Sequence, residues 1–216
     1  MGKKFCLANL PNENITYLIS TEANSEYGRY TISIESDTVA NEKTIKMTQI
    51  MKTVRTEYIK VCRLELDGSI LSIRKLLPGS DDVLLEMEIE PQTVKLKKKS
   101  KYVKMKYQGA LYAVTASEVV FRGLINKVRR LKFKGLTNSG AIMDFVLEKV
   151  KEEMIDTPCG QFDCETYRFY PAGIFKLFVK PFYFSFSKDP SRVLVRFIGK
   201  FSAHEPVVTK IIAARQ

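Results

Sequence analysis

Side chains able to bind a soft metal or act as a nucleophile are few in this 216-residue chain. There is one histidine, His204, and there are four cysteines, Cys6, Cys62, Cys159 and Cys164. A lone imidazole cannot build a multi-histidine metal site, and a reaction needing a histidine base has only that residue to use. Cys159 and Cys164 bracket Gly-Gln-Phe-Asp, a spacing that zinc sites use, but the other two cysteines lie far upstream. Two loop cysteines are the better reading, and neither a metal nor another cofactor is expected. No nucleophile motif surrounds Cys62, Cys159 or Cys164, and neither GxGxxG nor GxxxxGK followed by Ser or Thr occurs. The densest carboxylates, Asp81, Asp82, Glu86 and Glu88, could serve metal-assisted cleavage of nucleic acid, which ranks last among the readings.

What the chain does concentrate is positive charge. Its 35 Lys and Arg against 24 Asp and Glu give a formal charge of +11. Thirteen of those bases fall between Lys95 and Lys134: Lys95, Lys97, Lys98, Lys99, Lys101, Lys104, Lys106, Arg122, Lys127, Arg129, Arg130, Lys132 and Lys134. Glu118 is the single acid among them, so this module carries +12 and the rest of the chain sums to −1. Such a cluster is an electrostatic footprint for a polyanion, with affinity from neutralised phosphates and no base code. Nucleic acid and an anionic membrane surface both satisfy it. No RNA-recognition, homeodomain or zinc-finger signature accompanies it.

Strands dominate the elements that must carry these residues. Ile15 to Ser20 and Arg29 to Glu35 read as strands, the second with Tyr30, Ile32 and Ile34 alternating with polar residues. Thr44 to Val54 fits both alternation and a helical stripe, and a helix is the expectation. Tyr58 to Leu66 and Ser69 to Leu77 flank Asp67-Gly68, which predicts a hairpin with a type I′ turn. A loop at Pro78 to Asp82 leads into an alternating strand, Val83 to Glu90, which Pro91 stops. Lys95 to Tyr107 reads as one strand entered through a flexible Lys97-Lys98-Lys99 run. Thr115 and Glu118 have capping-box spacing, which predicts a helix whose face is Val120, Phe121, Leu124, Val128 and Leu131, with Arg122, Arg129 and Arg130 opposite and Gly135 as its stop. A second helix is expected over Ser139 to Met154, with Asp144, Glu148, Glu152 and Glu153 quenching part of the basic charge.

The C-terminal third is aromatic: 12 of the 23 Phe and Tyr lie between Phe162 and Phe201. These runs, among them Ile174 to Lys180, Phe182 to Ser187 and Arg192 to Ile198, read as short antiparallel strands. Their rings could stack exposed bases, but core is the better account for any one of them. The order Ile174-Phe-Lys-Leu-Phe-Val-Lys-Pro-Phe-Tyr-Phe-Ser-Phe-Ser-Lys-Asp189, then the strand Arg192 to Ile198, resembles the end of the β-rich core of plant-virus movement proteins. That resemblance implies sequence-independent binding of single-stranded nucleic acid and its transport between cells. It also asks for an Asp inside an apolar strand upstream, a part that only Asp144 could play, in a stretch read as helix.

The expected fold class is therefore α+β, mainly antiparallel sheet or sandwich with two or three helices mid-chain, in one domain over 1–216. No apolar run reaches the roughly 18 residues that span a bilayer as a helix, and no secretory leader is evident, so a reducing, intracellular location is expected, in host cytoplasm or peripheral to a membrane. Gly2 could accept a myristoyl chain, although Cys6 stands where Ser or Thr is preferred; an ordinary start before a strand over Lys4 to Leu10 is the simpler reading. The leading function is non-catalytic binding of single-stranded nucleic acid or nucleoprotein. The alternative is a self-associating, viral matrix-type structural protein that binds nucleoprotein and an anionic membrane surface.

Overall fold

The computed structural model describes residues 7, 10–80, 82–98, 101–123, 128–200 and 206–216. Gly2, Cys6, Asp81, Lys99, Lys127 and His204 lie outside them, as does most of the strand expected over Lys4 to Leu10. Fifteen strands form a single sheet: β1 Glu13–Thr21, β2 Gly28–Val39, β3 Glu42–Thr53, β4 Glu57–Glu65, β5 Ile70–Leu76, β6 Val83–Glu90, β7 Thr93–Lys98, β8 Lys101–Lys106, β9 Leu111–Ala113, β10 Arg130–Leu136, β11 Ile142–Thr157, β12 Gly160–Pro171, β13 Phe182–Ser187, β14 Leu194–Gly199 and β15 Val208–Arg215. They lie in the order 8-7-6-5-4-3-2-1-15-14-13-12-11-10-9. Every ladder is antiparallel except β9–β10. The β9 end turns back onto the other half of the sheet, since Ser69, just before β5, bridges Tyr112 of β9. The sheet thus curls around one core, to which strands from both halves contribute.

Period-two patterning produces these strands. Ile15, Tyr17 and Ile19 of β1 and Tyr30, Ile32 and Ile34 of β2 are all buried, with exposed or half-buried residues between them. Fully burying one such side chain contributes roughly 1.5–3 kcal/mol. The hairpin at Asp67-Gly68 forms, but with a different turn: Gly68 alone is left-handed (φ 81), and its N–H donates to the Glu65 carbonyl at 2.9 Å. A type I turn with a glycine bulge has this geometry, and it shifts the register between Arg63 and Leu64. The type I′ signature, positive φ at both central residues, occurs instead at Ala40 and Asn41, between β2 and β3.

All three expected helices are corrected. Thr44 to Val54 lies almost wholly in β3, whose buried face is Ile45, Met47, Gln49 and Met51. A polar Gln on the inner face hid the alternation. Ser139 to Met154 is largely β11, where Val150 is an extra residue between the pairs Lys149↔Tyr167 and Lys151↔Thr166. A bulge moves the apolar set from one face to the other, so Phe145, Val146, Val150 and Met154 mimic helical spacing. The capping-box helix shrinks to α1, Ser117–Val120, flanked by 3-10 turns at Val114–Ala116 and Phe121–Gly123. Thr115 caps nothing, and Glu118 turns inward to the sheet. The architecture is mainly β, with one short α-helix among the described residues.

Phe121, at the end of that segment, sits among the rings of Phe133, Phe169 and Phe184 at centroid distances of 5.5–5.7 Å. Phe184, Phe186 and Phe197 are likewise buried. These aromatics are core and offer no face to a base.

Candidate polyanion-binding surface

Strands β7 and β8 form the last hairpin of the sheet, and β8 is its free edge. Lys97 and Lys98 belong to β7 rather than to a flexible entry, and one expected strand is two. Pairing of Lys95 with Lys104, Lys97 with Tyr102 and Thr93 with Lys106 puts Lys95, Lys97, Tyr102, Lys104 and Lys106 on one face. Val94 and Leu96, on the other face, are buried and fix the hairpin to the core. Tyr102 is 73% exposed, and the Lys97 ammonium lies 5.5 Å from its ring centroid. Lys95 is held by Glu90, whose hydrogen bond keeps its ammonium above the usual lysine range. Among the described residues, Lys97, Lys98, Lys101, Lys104 and Lys106 have no carboxylate within ion-pair distance.

The remaining bases of the module do not join this face. Arg122 is buried: its guanidinium meets Glu13 and donates to the Ser191 carbonyl at 2.8 Å. It is a structural residue and cannot reach a polyanion. Arg130, Lys132 and Lys134 alternate along β10. Lys132 and Lys134 share Asp144 of β11 at 3.3 Å each, and their hydrogen bonds hold its carboxyl below the ordinary range. Arg129 and Arg130 are exposed and have no carboxylate within ion-pair distance among the described residues. Of the acids expected to quench the module from a helix, Asp144 does so from a strand, whereas Glu148 pairs with Arg168 at 2.8 Å and Glu152 and Glu153 pair with Lys149, Lys151, Lys188 and Arg196, all outside the module.

Arg130, Lys132 and Arg168, with Lys176, line a groove of ≈ 560 Å³ beside the segment that follows β12. That segment, expected as a strand over Ile174 to Lys180, is a 3-10 turn over Gly173–Leu177 with no buried residue. Its exposed Phe175 and Phe178 are the features that sequence reasoning missed. The available signal was an apolar run between Gly173 and Pro181 that matches neither period.

The interior holds the other concentration of ionisable groups. Lys210 donates to Glu118 at 2.8 Å, while Tyr30 and Gln49 also donate to that carboxylate, and Lys60 and Gln49 donate to the Thr115 carbonyl at 3.1 Å. Burial pushes both lysines below the usual range. Burial also raises Glu118, but Lys210 and Lys60 outweigh it, so the carboxyl stays ionised. This cluster anchors the 114–123 segment inside the sheet. Glu86 and Glu88 face Lys97 and Lys95 across the β6–β7 ladder, and no group of three metal-ligating side chains forms among the described residues. Cys62, Cys159 and Cys164 are free thiols, and burial pushes that of Cys164 up to about 12.

No helix among the described residues is long and apolar enough to cross a membrane. No protein-family model and no curated protein matches the chain. Two solved structures are similar to it over essentially their whole length. One is a candidate lipoprotein from Parabacteroides distasonis, 12% identical with a TM-score of 0.42, covering 100% of both chains. The other is a candidate exported protein with a YmcC-like fold from Bacteroides fragilis, 12% identical with a TM-score of 0.40, covering 99% of this chain and 100% of that one. The functional reading rests on this chain's own surface.

Proposed function

We propose that the protein is a non-catalytic, sequence-independent nucleic-acid-binding protein, with a single strand laid along the outer face of the β7–β8 hairpin. The observation that carries the proposal is the row of Lys97, Lys104 and Lys106 around an exposed Tyr102. Residues two apart on a strand are about 6.8 Å apart, a spacing that lets neighbouring ammonium groups meet successive phosphates of an extended strand. Tyr102 supplies a ring on which an unpaired base can stack, worth about 1–3 kcal/mol and tolerant of sequence. The location that goes with this reading is intracellular. A viral movement protein is one form of it, supported by Asp144 standing in strand β11 beside Phe145, and weakened by the turn at Gly173–Leu177, where the resemblance asks for a strand.

The test is binding to single-stranded RNA, single-stranded DNA and duplex across a salt series. Affinity should fall steeply with salt, and Lys97→Gln, Lys104→Gln and Lys106→Gln together should flatten the log–log slope by about 2. Salt-insensitive binding, or a slope unchanged in the triple variant, would sink the proposal.

A further inference from the structure

We infer that loop 173–180 is a membrane-docking element that seats its apolar side chains in the interfacial layer of an anionic bilayer, a surface separate from the hairpin proposed for nucleic acid. Ile174, Phe175, Leu177 and Phe178 are 66%, 53%, 73% and 77% exposed, and Val179 is exposed beside them. The loop keeps its shape through its own backbone: the Phe178 and Val179 N–H groups donate to the Phe175 carbonyl at 3.1 and 3.2 Å, and the Ala172 N–H donates to the Asp144 carbonyl at 2.8 Å. Its side chains therefore project from an ordered turn without packing on the core. Contiguous apolar exposure of this kind marks an interaction site rather than a chance surface residue.

Charge identifies the occupant. Lys176 and Lys180 flank the apolar side chains within the loop, and Arg130 stands at the groove behind it with Lys132 and Arg168, which Asp144 and Glu148 already pair. Arg130, Lys176 and Lys180 have no carboxylate within ion-pair distance among the described residues. An apolar tip ringed by long basic side chains suits the boundary between acyl chains and acidic headgroups, where Lys and Arg stems lie along the tip while their charges stay with phosphate and carboxylate. A protein partner of ordinary size engages about 20–30 residues on each side, far more than this turn presents.

The experiment uses the full chain and exploits its lack of tryptophan. Phe178→Trp makes the loop its own fluorescent reporter. Emission should shift to the blue with vesicles of phosphatidylcholine containing about a third phosphatidylserine, and binding to pure phosphatidylcholine should be at least about tenfold weaker. Phe175→Ser with Phe178→Ser should lower anionic-vesicle binding at least about tenfold and leave single-stranded RNA affinity unchanged. The hairpin lysine variant should do the reverse; a blue shift in a chain whose RNA binding is absent, or is unchanged by the lysine substitutions, would count against the hairpin alone. The inference is overturned if the reporter does not shift, if the serine variant sediments with anionic vesicles as the wild type does, or if that variant instead converts a self-associated protein to monomer.

Discussion

Lys210 and Glu118, 92 residues apart in the chain, form a 2.8 Å ion pair inside the curled sheet, with the ammonium 4.1 Å from the Tyr30 ring centroid and 4.8 Å from that of Tyr17. Lys210 is fully buried, so removing either partner strands a charge away from water. Lys210→Ala or Glu118→Ala should each cost about 3–5 kcal/mol in urea unfolding, while Lys210→Met combined with Glu118→Gln should recover most of that loss. Equal destabilisation in the double variant would show that packing, not charge, is what the pair provides.

Two carboxylates of β11, Glu152 and Glu153, which lie on opposite faces of the strand, set the acid limb of stability. Glu152 is held to about 2 by hydrogen bonds from Lys149 and Lys188. Glu153 is raised by its burial but brought to about 2 by Thr166, Lys151 and Arg196. Both folded values lie below the ordinary 4.5, so the unfolded chain binds these protons first as pH falls. The stabilisation is complete above about 4.5 and is lost on acidification toward about 2. Glu152→Gln with Glu153→Gln should flatten the dependence of the urea midpoint on pH across that window.

Phe169 and Phe175 test the division between core and loop within one aromatic run. Phe169 is fully buried, stacked 4.8 Å from Phe145, whereas Phe175 is 53% exposed. Phe169→Ala should cost about 3–5 kcal/mol, and Phe175→Ala should stay within about 0.5 kcal/mol of wild type by denaturant titration.

At Gly28 two backbones meet. A Cβ there would stand 2.3 Å from the Lys52 carbonyl oxygen and 2.7 Å from the Thr53 Cα, atoms of the paired strand β3 that cannot move aside. Gly28→Ala should lower stability by about 1–3 kcal/mol, read as a drop in Tm. A neutral outcome would mean that the β2–β3 ladder can shift at its end.

The strands were legible wherever an inner face is purely apolar, as in Tyr30, Ile32 and Ile34. They became illegible where a polar residue is buried or a bulge slips the phase. Gln49 on the inner face of β3, and Val150 as the extra residue of β11, each turned a strand into an apparent helix. Thr115 and Glu118 look like a local capping pair because sequence spacing cannot reveal Lys210, which arrives only when β15 closes on β1. For the site, the excess of base was visible and its division was not. Burial of Arg122 beside Glu13, and the sharing of Asp144 by Lys132 and Lys134, depend on neighbours far away in the chain. The hairpin lysines are exposed because, among the described residues, no strand pairs with the edge at β8.

All ladders but one join consecutive strands; the exception is β1–β15, where two meanders meet. The 114–123 segment reaches into both. Thr115 takes Gln49 and Lys60 from the first, Glu118 takes Lys210 from the second, and Arg122 holds Glu13 of one and Ser191 of the other. Parting the meanders would drag a guanidinium and two carboxylates out of their buried partnerships, so hinge bending at the seam is costly. Amides of β1 and β15 should accordingly exchange with solvent only through global opening. The hairpin edge and the apolar loop are thus mounted on one stiff frame, which would hold a ligand of the first at a set distance from a ligand of the second.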